Sequence, residues 1–147
     1  MKKMNGIAKR MLVALGGTVL LLSANQALAS GSCYIMKKYS NFYEELGKVE
    51  NGYIMKKYSN FYEEVGRERN GYIEKKYSNF YEELGRVRND YIEKKYSNFY
   101  EEKGRVYNDY IEQKFSNFYE ELGKADGSCS PEEIGAGAVL LGLLPFE

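Results

Sequence analysis

Two cysteines, fifteen tyrosines and, within the repeated part, five Glu-Glu pairs and four Lys-Lys pairs are the groups in this chain whose types and spacing could do chemistry. Histidine is absent, so the commonest general base and metal ligand is missing. Cys33 and Cys129 have no imidazole to activate a thiolate, and both sit outside the repeated part of the chain. No Gly-rich phosphate loop occurs, because the glycines of the repeated part are single and evenly spaced or stand in turns. The pairs Glu44-Glu45, Glu63-Glu64, Glu82-Glu83, Glu101-Glu102 and Glu120-Glu121 would collect Ca²⁺ only if stacking aligned them. Lys and Arg beside each pair favour a solvated charged face instead. The expectation is a protein that is not an enzyme, with no catalytic residue, cofactor or metal.

Twenty-one basic residues balance twenty-one acidic ones, so the chain lacks the cationic excess that nucleic acid requires. The expected partner is a protein or a further copy of the chain, with no nucleic acid.

All fifteen tyrosines fall in five near-identical 19-residue units that begin at Tyr34, Tyr53, Tyr72, Tyr91 and Tyr110 and fill residues 34–128. A short period of this kind marks an array in which each unit buries its apolar face against its neighbours. On a helical wheel Tyr91, Ile92, Tyr96, Phe99, Tyr100 and Lys103 fall on one half, position 103 being Leu or Val in the other units. Glu93, Lys94, Ser97, Asn98, Glu101 and Glu102 fall on the other. Asp90 reads as an N-cap with Glu93 three residues on, and Gly104 follows the last apolar position. Nineteen residues turn an apolar face by a net 100° per unit, so one continuous helix keeps no stripe. The pattern predicts an all-α array of five short antiparallel amphipathic helices, with Val49, Val87 and Val106 in the connectors sealing the helix ends. Two features oppose it: Tyr, Phe, Ile, Ser and Asn are weak helix formers, and lysines precede glutamates, against the helix dipole.

The alternative is a β-hairpin array. Asn51-Gly52 between apolar residues is a strong hairpin signal. The segment from Phe80 to Val87 resembles the Tyr-Asp-x-x-Gly-Arg element of YD-type repeats and, more loosely, variant MORN repeats. It departs from the YD pattern at Glu for Asp and by one extra residue before Gly. The resemblance covers about eight residues per unit and implies a β fold.

The ends differ in kind from the array. Lys2, Lys3, Lys9 and Arg10 precede an apolar run from Met11, and Ala27-Leu28-Ala29 is a small-x-small cleavage site, so residues 1–29 read as a signal peptide of bacterial type. Export to the periplasm, the cell surface or the medium follows. Residues 30–33 form a linker holding Cys33, and Ser30-Gly31-Ser32 lacks the apolar residue that a lipidated cysteine needs. An exported chain meets an oxidising compartment, which makes Cys33 and Cys129 a candidate disulfide. A compact array would close it within one chain, and an extended array would join chains. Residues 129–147 read as an apolar capping segment, with Ser130-Pro131-Glu132-Glu133 opening a helix. Membrane contact would come only through this segment.

Two functions follow. The first is an exported interaction, scaffold or surface protein working through a repeated Tyr/Lys/Glu face, with Tyr39, Tyr58, Tyr77, Tyr96, Tyr43, Tyr62, Tyr81 and Tyr100 as the contact surface. The alternative is a secreted multi-copy peptide precursor cut at Lys37-Lys38, Lys56-Lys57, Lys75-Lys76 and Lys94-Lys95, a layout that Gln113-Lys114 breaks.

Overall fold

A computed structural model of the chain describes residues 31–145, and the expected signal peptide lies outside the described residues. The helical array is overturned: each 19-residue unit is a pair of strands, and the hairpin alternative is the one that fits. The strands are β1 (Cys33–Lys38), β2 (Tyr43–Glu50), β3 (Tyr53–Tyr58), β4 (Phe61–Arg69) and β5 (Tyr72–Lys76), followed by β6 (Tyr81–Arg88), β7 (Tyr91–Lys95), β8 (Tyr100–Tyr107), β9 (Tyr110–Lys114) and β10 (Tyr119–Gly127). Each pairs antiparallel with its neighbours in sequence, and β10 returns to β1, so the sheet is a closed barrel. Closure removes the unpaired edges that an open array of hairpins would expose.

Two turn types alternate around the barrel. Within a unit, Tyr39-Ser40-Asn41-Phe42 closes with the Tyr39 amide donating to the Phe42 carbonyl at 2.8 Å. Between units, Asn51-Gly52 takes φ of 53° and 82°, as a type I′ turn demands. Asn89-Asp90 adopts the same sign of φ without glycine, at 52° and 67°. Asp90 therefore serves a hairpin, not a helix cap.

Strand alternation puts Ile35, Ile54, Ile73, Ile92 and Ile111 on the inner face, each fully buried. A β-bulge beside each isoleucine admits one extra residue, namely Leu46, Val65, Leu84, Lys103 and Leu122. The glycine that follows is the one read as ending a helix. Its actual reason is close approach, because a Cβ on Gly104 would strike the carbonyl oxygen of Glu112 across the ladder. The bulge shifts the period-two pattern by one residue, and that shift made the unit look helical.

The C-terminal segment fills the barrel. A helix, α1 (Pro131–Ala136), starts at Ser130, whose hydroxyl accepts from the Glu133 amide at 3.1 Å while the Glu133 carboxylate accepts from the Ser130 amide at 2.9 Å. It contacts strands of the wall all round, including β1, β2, β4, β6, β8 and β9, and a turn of 3-10 helix (Gly137–Val139) continues it. Gly135 and Gly137 lack the Cβ that would collide with Val87 and Ile35. Leu140, Leu143 and Leu141 lie against Gly47, Gly104 and Gly123. The segment thus supplies Ile134, Ala136, Ala138, Val139, Leu143 and Leu144 to the core, and these side chains are buried in the lumen.

Cys33 and Cys129 form a disulfide within the chain, with Cα atoms 5.0 Å apart and a separation of 96 positions in sequence. It ties the start of β1 to the segment leaving β10, at the seam where the barrel closes.

Candidate functional site

The tyrosines expected to act as one surface separate into two rings, because those that directly follow each unit's four-residue turn and those that open it lie on opposite faces of the sheet. Tyr43, Tyr62, Tyr81 and Tyr100 stand on the outer wall together with Tyr119. Each donates its hydroxyl to a glutamate of the preceding unit: Tyr43 to Glu121 at 2.5 Å, Tyr62 to Glu45 at 2.5 Å, Tyr81 to Glu64 at 2.5 Å, Tyr100 to Glu83 at 2.6 Å, and Tyr119 to Glu102. The same carboxylates receive Lys38, Lys57, Lys76, Lys95 and Lys114 at 3.3 to 3.4 Å. The ring closes on itself through Tyr43 and Glu121, which joins the first unit to the fifth.

A phenol that donates to a carboxylate resists losing its proton, and burial adds to the effect. Tyr43, Tyr62, Tyr100 and Tyr119 are pushed up to about 12, and Tyr81 is raised for the same reasons.

Above these tyrosines lies a further rung. The guanidinium groups of Arg67, Arg86 and Arg105 sit 3.6, 3.7 and 3.9 Å from the ring centres of Tyr81, Tyr100 and Tyr119. They also pair with Glu74, Glu93 and Glu112. Where lysine replaces the arginine, at Lys48 and Lys124, methionine replaces the glutamate on the facing strand, at Met55 and Met36. Lys48 and Lys124 keep the place over the tyrosine, 4.5 Å from the ring centres of Tyr62 and Tyr43. Tyr43, Tyr62, Tyr81 and Tyr100 are thereby committed to holding units together.

Tyr39, Tyr58, Tyr77 and Tyr96 share the inner face with the isoleucines, at the end of the barrel where the four-residue turns lie. Each stacks on the phenylalanine three residues later: Tyr39 on Phe42 at 4.9 Å and 12°, Tyr77 on Phe80 at 4.7 Å and 10°. Tyr58–Phe61, Tyr96–Phe99 and Phe115–Phe118 repeat the arrangement. Lys37, Lys56, Lys75 and Lys94 reach over the tyrosine rings at 4.8 to 5.4 Å. The phenylalanines remain open to solvent, Phe42 at 56% and Phe61, Phe80, Phe99 and Phe118 at 55%. The helical wheel puts Phe99 on its apolar half, whereas the turn leaves it open to solvent. A signal was available, since Phe recurs in all five units immediately after Ser-Asn, a turn dipeptide.

This rim encircles the end of the C-terminal segment. Clefts run between the wall and that segment, one of about 500 Å³ reaching Leu46, Leu140 and Pro145, another of about 570 Å³ at β8 and β9. Among the described residues no group of three or more His, Cys, Asp or Glu converges to hold a metal ion. The fold and site together define a closed barrel of five tandem hairpins, plugged by its own C-terminal segment and rimmed by stacked aromatic pairs. No family model matches the chain, and comparison with characterised proteins and with solved structures finds none similar to it.

Proposed function

We propose that the chain is an exported, non-enzymatic interaction module that engages a protein partner, or a further copy of itself, through its aromatic rim. The observation that carries this reading is the ring of solvent-open phenylalanines at one end of the barrel. Exposed apolar area repeated at one place marks a contact surface, since scattered exposure needs no such order. Five equivalent tips also raise avidity without new kinds of contact. The outer wall is a weaker candidate because its tyrosines, glutamates and lysines are engaged with one another. Charged Glu45, Lys57, Arg67 and Glu74 on that wall also speak against its facing lipid.

The test is photo-crosslinking in the producing cell, with a photoreactive residue placed at Phe80 on the rim or at Tyr91 on the wall. Adducts formed from Phe80 and scarce from Tyr91 support the proposal. Equal yields from both positions, or none from Phe80, remove it.

The precursor reading is favoured by one observation, the accessibility of the second lysine of each pair. The side chains of Lys38, Lys57, Lys76 and Lys95 are 39 to 44% exposed. Mass spectrometry of secreted material separates the two readings. Nineteen-residue fragments ending at lysine support processing, and an intact disulfide-linked chain supports the module.

A further inference from the structure

The five units differ from one another at nine of their nineteen positions, and three of the differences, in the fourth and fifth units, meet on one wedge of the barrel mouth. Lys103 stands at the bulge position that Leu46, Val65, Leu84 and Leu122 fill elsewhere. Gln113, paired in register with Gly104 next to it, replaces Lys37, Lys56, Lys75 and Lys94. Phe115 replaces the rim tyrosine.

These residues line the cleft of about 570 Å³, a volume within the usual range for small-molecule sites. Its apolar side is Leu122, Leu141, Leu143 and Pro145. Its charged side holds three lysines, Lys94, Lys103 and Lys114, against two glutamates, Glu101 and Glu102. The clefts related to it by the repeat are balanced, with Glu44, Glu45, Lys56 and Lys57 in one and Glu82, Glu83, Lys94 and Lys95 in the other. Lys94 borders both this cleft and the next, so what sets this wedge apart is the place of its charge: a lysine at the bulge, beside the leucines, and a neutral glutamine where the other units carry lysine.

The partners of the two glutamates differ. Glu102 is held by Lys114 at 3.3 Å and by the Tyr119 hydroxyl. Glu101 pairs with Lys103 at 3.1 Å beside the Tyr96 ring, with the Glu101 side chain 54% and the Lys103 side chain 31% exposed. An exposed pair of this kind contributes about 0–1 kcal/mol, so a ligand anion can displace Glu101 from Lys103 at little cost.

We infer that the cleft between β8, β9 and the C-terminal segment binds a small amphipathic carboxylate. Lys103 receives the carboxylate, the Gln113 amide offers a neutral donor beside it, and the apolar tail lies on Leu122, Leu141 and Leu143. Burial of an alkyl tail supplies most of the affinity, and the ammonium selects the anion. The cleft meets the rim at Phe115, and octanoate binding is measured separately from any partner of the rim.

Calorimetric titration of the disulfide-intact mature chain with octanoate, beside 1-octanol, tests the inference. One octanoate is expected per chain. Lys103→Leu should weaken octanoate binding by about tenfold, equivalent to about 1.4 kcal/mol, and leave octanol unaffected. Lys103→Arg should retain octanoate. Leucine already stands at this bulge in three other units, and an unchanged melting profile of Lys103→Leu verifies that the variant is folded. Absence of octanoate binding at millimolar concentration, several equivalent sites per chain, or undiminished binding by Lys103→Leu overturns the inference.

Discussion

The Tyr43 hydroxyl donates to a Glu121 carboxylate oxygen at 2.5 Å, across 78 residues of sequence and across the seam where β10 meets β1. The other four contacts of that ring join adjacent units, so this one reports closure of the barrel. A strip of hairpins that failed to close would keep the four and lose the fifth.

The ring makes stability depend on alkaline pH. Its tyrosines have folded pKa values above the ordinary 10, with Tyr43, Tyr62, Tyr100 and Tyr119 at about 12. A raised pKa means that the folded state holds its protons longer than the unfolded state. The contribution is complete below pH 10 and is lost as pH rises from 10 through 12. Phenolate absorbance should show these tyrosines ionising near pH 12 in the folded chain, with denaturation midpoints falling over the same window. Constant stability from pH 9 to 12 would contradict this.

Removing the disulfide should weaken the seam. A cross-link spanning 96 residues restricts the unfolded chain, and loop entropy assigns it about 4–5 kcal/mol. The double substitution Cys33→Ala, Cys129→Ala should lower the denaturant midpoint accordingly, and a chain reduced before unfolding should match it.

Gly104→Ala should cost about 1–3 kcal/mol, because the new Cβ meets both the Glu112 carbonyl and the Leu143 side chain. Gly142→Ala is the comparison, since nothing lies within 4 Å of a Cβ there and its left-handed φ of 83° is the sole source of strain. Equilibrium unfolding of the two variants measures packing strain against backbone strain.

Glu68 stands where three other units have valine, on the inner face, and burial raises its carboxyl above the usual range. Its raised pKa places the destabilisation on the charged form, absent at low pH and growing as pH rises through 4.5 and beyond. Glu68→Val should therefore melt at a higher temperature than wild type at pH 7, with the gap narrowing at pH 4. Calorimetric melts at the two pH values decide it, and an equal gap at both would rule out the ionisation.

Several elements of the hairpin were visible in the residues. Asn51-Gly52 signalled a tight turn, the weak helix formers signalled strand, and Lys75 to Glu83 ran against a helix dipole. The wheel prevailed over them for a physical reason. The extra residue at Leu84 breaks alternation in the middle of each unit, and Gly85 takes a core-facing position without adding an apolar side chain. Near the mouth, inner-face positions such as Lys75 and Glu82 meet water, so polarity there did not mark the outer wall. The proposed contact surface was half legible: tyrosine abundance pointed to it, yet Tyr43 and its equivalents bond to neighbouring units, and the rim aromatics most open to solvent are Phe42, Phe61, Phe80, Phe99 and Phe118.

The sequence by itself determined the five-fold repetition, the turn at Asn-Gly, the glycine in each unit and the capping box at Ser130, because each is a local matter of backbone geometry or period. Tertiary structure alone decided that five hairpins close into a ring, that residues 131–145 fill it, and which tyrosines face outward. Those outcomes depend on contacts such as Tyr43 with Glu121 and Gly137 with Ile35. Residues so far apart in the chain meet only when the strand number and the volume of the enclosed segment agree.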